Sequence, residues 1–335
     1  MRSNILIAAT ALQLTACPSG GPVAPVADSS ATPEATAPAA PSLSADVAAS
    51  ATASAKIEPP PPGPDSGHGG RLFDQFYAEQ GVKGGFKPDD AKTKGKADGT
   101  GGPSNNGTLP STGGAPMLND AGHDYRLKSL FGWDLKGRDG IYGPGYMNKA
   151  YAVNKNLLLQ KGAVPDFVAL LKKGDLGVPS YASVLDESAI TAVAEFVVAT
   201  RDRQLPHPDD IFELKKGSPN NYVLKPGGDA TRGKAAFAIK CSACHGDDGT
   251  RELFDDGEFS LGSHARQKAY EDWFKIANGQ PGTAMLSQVS GSGKERTQAI
   301  LDLLAALCDR TAFGLGKAKG KDVSDRDPRC GAYLK

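Results

Sequence analysis

The sequence predicts an all-α protein, and two helical segments carry most of that prediction. In each segment, apolar residues recur at positions i, i+3, i+4 and i+7, which is the spacing of one helix face. The first stripe is Ile190, Val193, Ala194 and Val197, and the second is Ile300, Leu303, Leu304 and Leu307. A glycine-bearing loop precedes each segment, and each half of the chain also begins with Gly, Arg and a short apolar helix. We therefore expect two similar helical units.

Composition restricts the partners of the chain. Its 335 residues carry 38 Lys plus Arg and 38 Asp plus Glu, so the formal net charge is zero and nothing indicates a nucleic-acid partner. Glycine (41) and proline (24) are abundant, which predicts long irregular segments. The length allows two modest domains with additional tails.

The first 17 residues are typical of an export signal. Arg2 precedes a short apolar run from Ile5 to Leu14, which is too short to span a membrane. The four residues that end at Cys17 (Leu, Thr, Ala, Cys) resemble a bacterial lipobox, which implies that Cys17 is lipidated. An ordinary signal-peptidase site is the alternative. Both interpretations predict an extracytoplasmic protein, and the first predicts a lipid anchor in a bacterial membrane, facing the periplasm or the cell surface.

The remaining chain divides by composition. Residues 18–66 are rich in Ala, Pro, Ser and Thr, and such a segment buries too little apolar surface to offset its ordering entropy. We expect a disordered tether there. A domain at residues 67–204, a linker at 205–228 and a second domain with a C-terminal tail at 229–335 follow. The Gly-, Lys- and Asn-rich run from about residue 82 to 122 indicates a surface loop or disordered insertion. We expect His123, directly after this run, to be a solvated histidine.

Residues 241–245, Cys-Ser-Ala-Cys-His, are the candidate functional motif of the chain. Their order is the pattern of covalent haem c attachment. Cys241 and Cys244 share one helical turn, so each thiol can add to a haem vinyl group while His245 ligates the iron. A structural zinc site would need four ligands, and no second close pair of Cys or His exists. A redox C-x-x-C motif would follow a strand of a βαβ unit. We expect one covalently bound haem.

Met285 is the candidate for the second axial ligand. It lies in a glycine- and proline-containing loop, residues 278–287, where a lone methionine has little to pack against. Its thioether suits low-spin haem iron and raises the reduction potential. Two alternatives stay open: Met285 fills a gap in the core, or His264 is the ligand. His264 otherwise reads as a surface or propionate-side histidine.

With these residues, positions 229–310 resemble a class I c-type cytochrome domain. The resemblance implies thioether bonds at the two cysteines, His245 as the proximal ligand and Met285 as the distal one. Trp273 lies in a segment that predicts an amphipathic helix, residues 271–276. It would pack on the haem edge or donate its indole N–H to a propionate, and core packing explains it equally well.

The first half resembles the second half without its ligands. When residues 127–132 are aligned with residues 241–246, both cysteines become leucine and the histidine becomes phenylalanine. Val178 falls at the position of Met285. Residues 132–140 look like the segment after the haem motif in the first domain of some tandem dihaem cytochromes. The chain departs from that family at all four ligand positions.

We therefore expect residues 67–204 to be a degenerate, haemless domain with a cytochrome-c-like fold. Apolar side chains would fill its vacated cavity, because empty volume costs about 24 cal/mol per Å³. The candidates are Leu127, Leu130, Phe131, Trp133 and Val178. An unrelated helical domain is the alternative.

Cys308 and Cys330 lie outside any metal-ligand spacing. Because an exported compartment is oxidising, we expect a disulfide between them that holds the tail, from about residue 309 to 335, on the last helix. Every cysteine then has a role.

Electron transfer is the function that these residues favour. A haem with two axial side chains leaves no open position for a substrate, so we expect an electron carrier between redox partner proteins, such as membrane or periplasmic oxidoreductases. One alternative is a haem-dependent oxidoreductase or its subunit, similar to thiosulfate dehydrogenase, although the lost ligands of the first half argue against it. Another is a haem-based sensor or binding module. The sequence shows no other catalytic constellation.

Overall fold

The computed structural model describes residue 65 and residues 67–79, 108–109, 117–118, 126–149, 152–175 and 178–335. These residues are mostly helical, which confirms the all-α prediction at the level of fold class. The predicted signal peptide with Cys17, almost all of the tether, and His123 lie outside the described residues.

In the described part of the first half, α-helices and a short two-stranded ladder alternate along the chain. They are α1 (His68–Gln75), β1 (Thr108–Leu109), β2 (Met117–Leu118), α2 (Leu127–Phe131), α3 (Val164–Lys173) and α4 (Glu187–Arg201). The strands pair antiparallel inside the run that predicts a surface loop. The predicted stripe of α4 is buried, and α4 packs against both α1 and α3. Asp186 begins α4 by accepting a hydrogen bond from the Ala189 amide at 2.8 Å.

The segment at 205–228 is folded, although its composition indicated a linker. It forms α5 (Pro208–Ile211), β3 (Phe212–Leu214) and β4 (Tyr222–Leu224), and the strands pair antiparallel with Phe212 opposite Leu224. Phe212 and Tyr222 are buried in the core. The Tyr222 hydroxyl accepts a hydrogen bond from the Ala269 amide at 2.8 Å, which fastens this hairpin to the second half.

The second half contains α6 (Ala230–Lys240), α7 (Ser242–His245), α8 (Leu261–Asn278) and α9 (Gly293–Leu307). Asp229 begins α6 by accepting hydrogen bonds from the amides of Thr231 and Arg232. Ser292 and Glu295 form a reciprocal capping box on α9. The predicted apolar stripe of α9 is buried.

In each half, the first and the last helix pack across one another, and a glycine lies at the point of contact. α1 crosses α4 at Gly69, and α6 crosses α9 at Gly233. A Cβ atom at either glycine would overlap a carbonyl oxygen of the opposing helix. Four positions after each glycine stands a buried phenylalanine, Phe73 in one half and Phe237 in the other. Helix order and crossing are therefore the same in both halves.

Helix α8 contains the predicted helical segment, and most of its side chains are buried. α9 packs against it from its own half and α1 packs against it from the first half. Its half-buried positions between 267 and 275 are all polar and recur at a helical spacing, so the expected polar side is present but narrow. Its backbone leaves helical geometry at Lys268 (φ −135°, ψ 36°), which bends the helix. Lys275 of α8 forms an ion pair with the buried Asp74 of α1.

Phe274 joins the cores of the two halves. Its ring lies 5.9 Å from Phe73, 5.1 Å from Trp133 and 5.6 Å from Phe196, all in the first half. The side chain is fully buried. Consistent with this shared core, Pro64–Lys335 form one compact unit.

The tail is held on the last helix by a disulfide and a buried ion pair. Cys308, directly after α9, is bonded to Cys330 with an S–S distance of 2.00 Å. Arg266 of α8 is fully buried and pairs with Asp322 of the tail at 2.6 Å. Its guanidinium also donates to the carbonyls of Leu307 and Phe313 at 2.9 Å, so its donors are well satisfied.

Candidate functional site

One helical turn presents the two cysteines and the histidine of the motif. Cys241 ends α6 and begins α7, and the amides of Cys244 and His245 donate to the Cys241 carbonyl at 3.2 and 3.0 Å. Gly246 then ends α7 with φ 79°, in the left-handed region that favours glycine. The structure therefore brings three of the predicted site residues onto a single turn.

The His245 side chain is half-buried and uncharged near neutral pH. Its Nδ1 is buried and lacks a hydrogen-bond partner among the described residues, and the ring lies 6.1 Å from Phe254. Burial lowers the pKa of His245, so the imidazole is neutral near pH 7. A neutral imidazole offers the lone pair that binds iron. A buried polar atom without a partner costs about 1–3 kcal/mol, which a structure tolerates where the group has a function.

The thiols do not have the properties of a redox C-x-x-C pair. Burial raises the pKa of Cys241 to about 11, whereas catalytic redox cysteines have a lowered pKa. Cys244, three residues after Cys241 on the same helical turn, is exposed. A zinc site has no support either, because no group of three or more His, Cys, Asp or Glu that could hold a metal occurs in the part of the chain that the structure describes.

Met285 lies in a closed loop, residues 279–288, between α8 and α9. Gly279 pairs with Leu286, the Gln280 amide donates to the Met285 carbonyl at 2.9 Å, and the Met285 amide donates to Thr283 Oγ1 at 3.1 Å. The Met285 side chain is half-buried.

A hydrogen bond joins this loop to the end of α6, directly before the motif. Lys240, the last residue of α6, donates through Nζ to the Gln288 carbonyl at 3.0 Å. Lys240, directly before Cys241, is therefore hydrogen-bonded to Gln288, which follows Met285 by three positions.

Trp273 is buried between the hairpin and the rest of α8 and does not lie at an exposed edge. Its ring lies 6.3 Å from Phe212 and 5.4 Å from Phe274. The indole Nε1 is buried and has no hydrogen-bond partner in the described ranges. Core packing explains the ring but leaves this donor unsatisfied, whereas an acceptor such as a carboxylate would satisfy it.

His264 is buried, so the expectation of a surface histidine is wrong. Its Nδ1 lies 2.9 and 3.0 Å from the two carboxylate oxygens of Asp272, and its ring lies between Phe254 and Phe259 at 5.4 and 5.5 Å. Burial alone would lower the pKa of His264, but the charge and hydrogen bond of Asp272 outweigh it and raise the pKa. An Nδ1–H that is donated to Asp272 leaves Nε2 as the second ring nitrogen, so this contact orients the ring and leaves His264 open as the alternative to Met285.

The motif position of the first half is packed with apolar side chains. Leu127, Leu130 and Phe131 are buried on α2, and Gly132 ends that helix with φ 77° and ψ 165°, close to the φ 79° and ψ 162° of Gly246. The cavity beside them measures about 10 Å³ and is lined by Phe73, Leu127, Phe131, Leu157, Phe167, Leu170, Leu171, Val193 and Val197. This volume holds at most about one water molecule. The first half therefore has no room there for a porphyrin-sized group.

Val178 and Trp133 are also buried, as the filled-cavity interpretation requires. Val178 forms a short bridge with Asp175 in the loop before α4, as Leu286 does with Gly279 before α9.

Exposed apolar side chains flank the motif and the methionine loop. Four large apolar side chains of the described residues are exposed, and three of them belong to the second half: Ile239, Leu253 and Leu286. Ile239 precedes Cys241 by two positions, and Leu286 follows Met285 directly.

By the chemistry of its side chains, the motif turn could hold a covalently bound haem, because it offers two thiols one turn apart and a neutral imidazole next to them. Within the described part of the chain, no helix combines the length and apolar character needed to cross a membrane. Comparison of the chain with protein-family models, curated protein sequences and solved structures finds no match.

Proposed function

We propose that the chain is an extracytoplasmic, lipid-anchored monohaem c-type cytochrome that carries single electrons between redox partner proteins. The observation that carries the proposal is the half-buried, neutral imidazole of His245, whose buried Nδ1 has no partner among the described residues, on the same turn as Cys241 and Cys244. Neither a zinc site nor a redox dithiol accounts for that combination.

Each residue of the site has a definite role in this proposal. Cys241 and Cys244 would hold the porphyrin by thioether bonds, and His245 and Met285 would be the axial ligands. Trp273 would donate its indole N–H to a propionate, which supplies the acceptor that the fold lacks. When bound, the haem supplies one-electron oxidation and reduction of its iron.

The chain itself would set the conditions of that chemistry. The hydrogen bonds inside the loop at 279–288 hold the Met285 backbone in place, so the thioether is presented at low entropic cost. With both His245 and Met285 holding the iron, no position would remain for substrate or water, which favours electron transfer over catalysis. The exposed Ile239 and Leu286 would form part of the apolar contact with the bound group and with redox partners.

The first half is, in this proposal, a duplicate of the haem domain that has lost its haem. The shared helix order, the two crossings at Gly69 and Gly233, and the matching helix ends at Gly132 and Gly246 support the duplication. The filled cavity supports the loss. We therefore propose two cytochrome-c-like folds, of which only the second holds haem.

Haem stoichiometry tests the proposal directly. Protein matured in a host with the c-type attachment machinery should give one haem per chain in a pyridine haemochrome assay. Its intact mass should contain one porphyrin that survives denaturation. A ratio of two would contradict the haemless first half, and a mass without porphyrin would refute the whole proposal.

The axial ligand is tested by Met285→Ala with Met147→Ala as its control. Met147 is also partly buried but lies in the first half, so its loss should leave the haem spectrum unchanged. Met285→Ala should lower the reduction potential and allow the reduced protein to bind carbon monoxide. Ready carbon monoxide binding by the reduced wild-type protein would show that Met285 is not a ligand.

A further inference from the structure

The loop that carries Met285 is gripped by the first half of the chain. Arg71 of α1 donates through Nη1 to the Asn278 carbonyl at 2.9 Å, at the point where α8 ends and the loop begins. Glu79, just after α1, accepts a hydrogen bond from the Gly282 amide at 3.0 Å, near the tip of the loop. Both hydrogen bonds therefore come from Arg71 and Glu79, which lie in the first half and outside the motif at 241–245.

Arg71 and Glu79 form one connected unit. Arg71 Nε lies 3.1 Å from Glu79 Oε1, the same oxygen that accepts from Gly282, and Arg71 Nη2 lies 2.5 Å from Asp65. The Arg71 side chain is almost fully buried, and Glu79 is nearly so. Buried charge-assisted hydrogen bonds are shorter and stronger than neutral ones, and they fix geometry. The pair therefore sets the position of two loop segments at once.

Backbone packing adds to the grip. A Cβ atom at Gly67 would overlap the Asn278 backbone, and one at Gly70 would overlap the Asn278 side chain. At the tip, Gly282 approaches the backbone of Ala78. The first half thus lies directly against the beginning and the tip of the loop.

Beside these contacts the loop borders open space. A groove of about 600 Å³ separates Thr283 and Leu286 of the loop from His68 and Ala78 of the first half. Side-chain packing on this side cannot hold the loop. The polar contacts of Arg71 and Glu79 therefore act together with the close approaches at Gly67, Gly70 and Gly282 to fix the loop to the first half.

We infer that the haemless first half is a brace for the distal haem ligand, with Arg71 and Glu79 as positioning residues for Met285. The inference rests on the proposed function, because it requires Met285 to bind iron. It gives the first half a role that does not need a haem of its own. Loosening the brace should let Met285 leave the iron more often, without removing any ligand.

The test uses Glu79→Ala in the full-length haem protein. This variant loses both the hydrogen bond to Gly282 and the partner of Arg71, so roughly tenfold faster displacement of Met285 by cyanide from the oxidised protein is expected. The sulfur-to-iron charge-transfer band should weaken and the reduction potential should fall. Glu79→Gln keeps an acceptor for the Gly282 amide and should restore most of the wild-type behaviour. Glu195→Ala, an exposed change on α4, is the matched control.

The outcomes separate the brace from the proposed function. If the wild-type protein lacks the charge-transfer band, Met285 is not a ligand and the proposed function fails at that point. If the wild type has the band and Glu79→Ala reacts with cyanide at the wild-type rate, the brace is refuted alone. Hydrogen exchange of α4 checks folding: a first half that unfolds in Glu79→Ala while cyanide reactivity stays unchanged also refutes it.

Discussion

Phe274 is expected to be a major single contributor to the stability of the folded unit. Its side chain is fully buried, and three of its ring contacts, to Phe73, Trp133 and Phe196, cross from the second half to the first. Removal of a buried phenylalanine to alanine costs about 3–5 kcal/mol. Each aromatic pair adds about 0.5–1.5 kcal/mol beyond burial. We therefore expect Phe274→Ala to lose about 5 kcal/mol of unfolding free energy.

Urea unfolding, followed by far-ultraviolet circular dichroism, measures this loss. Wild-type protein should unfold in one step, and Phe274→Ala should unfold in one step at a much lower urea concentration. Hydrogen exchange should show α1 and α4 losing protection together with α8, because one side chain stabilises both cores. Leu159→Ala removes an exposed apolar side chain of the first half and should change the free energy by less than about 0.5 kcal/mol. A loss below about 2 kcal/mol for Phe274→Ala, or two separate steps in the wild type, would refute the shared core.

Three further predictions concern other parts of the fold. Gly233→Ala places a Cβ against the Asp302 carbonyl where α6 crosses α9, so the unfolding free energy should fall by about 1–3 kcal/mol; an unchanged thermal midpoint would contradict so close a crossing. Burial raises the pKa of Asp134 from 3.8 to about 6, so between about pH 4 and pH 6 the folded protein holds a proton that the unfolded chain releases. Stability should therefore fall by about 3 kcal/mol as the pH rises through that window, and Asp134→Asn should remove this slope; equal slopes in urea titrations of both proteins would argue against it. Replacing Cys308 and Cys330 with serine opens a loop with a sequence separation of 22 and should cost about 3 kcal/mol, measured against the oxidised wild type; an unshifted urea midpoint would show that the disulfide contributes nothing.

Local signals were sufficient to predict the helices that close the second half. The apolar stripe of α9 depends only on residues within a few positions of one another, and it is buried in the structure. The same holds for the motif turn, because a spacing of three residues on a helix places Cys241 and Cys244 side by side.

The surroundings of α8 could not be predicted in this way. On a straight helix, residues eight positions apart lie about 12 Å from each other along the axis. His264 and Asp272 have that spacing, yet they meet at 2.9 Å because the helix bends at Lys268. The burial of α8 on both sides depends on the first half, which lies far away in the sequence. The apolar pattern within α8 does not predict that α1 of the first half packs against it.

The folded connection at 205–228 was missed for a different reason. Its strands are three residues long, too short for an alternating pattern to emerge, and prolines and glycines surround them. A weak signal was available in the aromatic residues Phe212 and Tyr222, which are unusual in a solvated linker. Both prove to be core residues.

The position of Phe274, Lys275 and Asn278 on consecutive turns of one helix bears on any attempt to isolate the second half. A fragment that starts after residue 204 would place in water a large aromatic ring, a lysine separated from its buried carboxylate, and a loop that has lost its outer support. Such a fragment should self-associate through the uncovered ring, and its methionine loop would be held differently. The proposed haem chemistry is therefore best tested on the undivided chain.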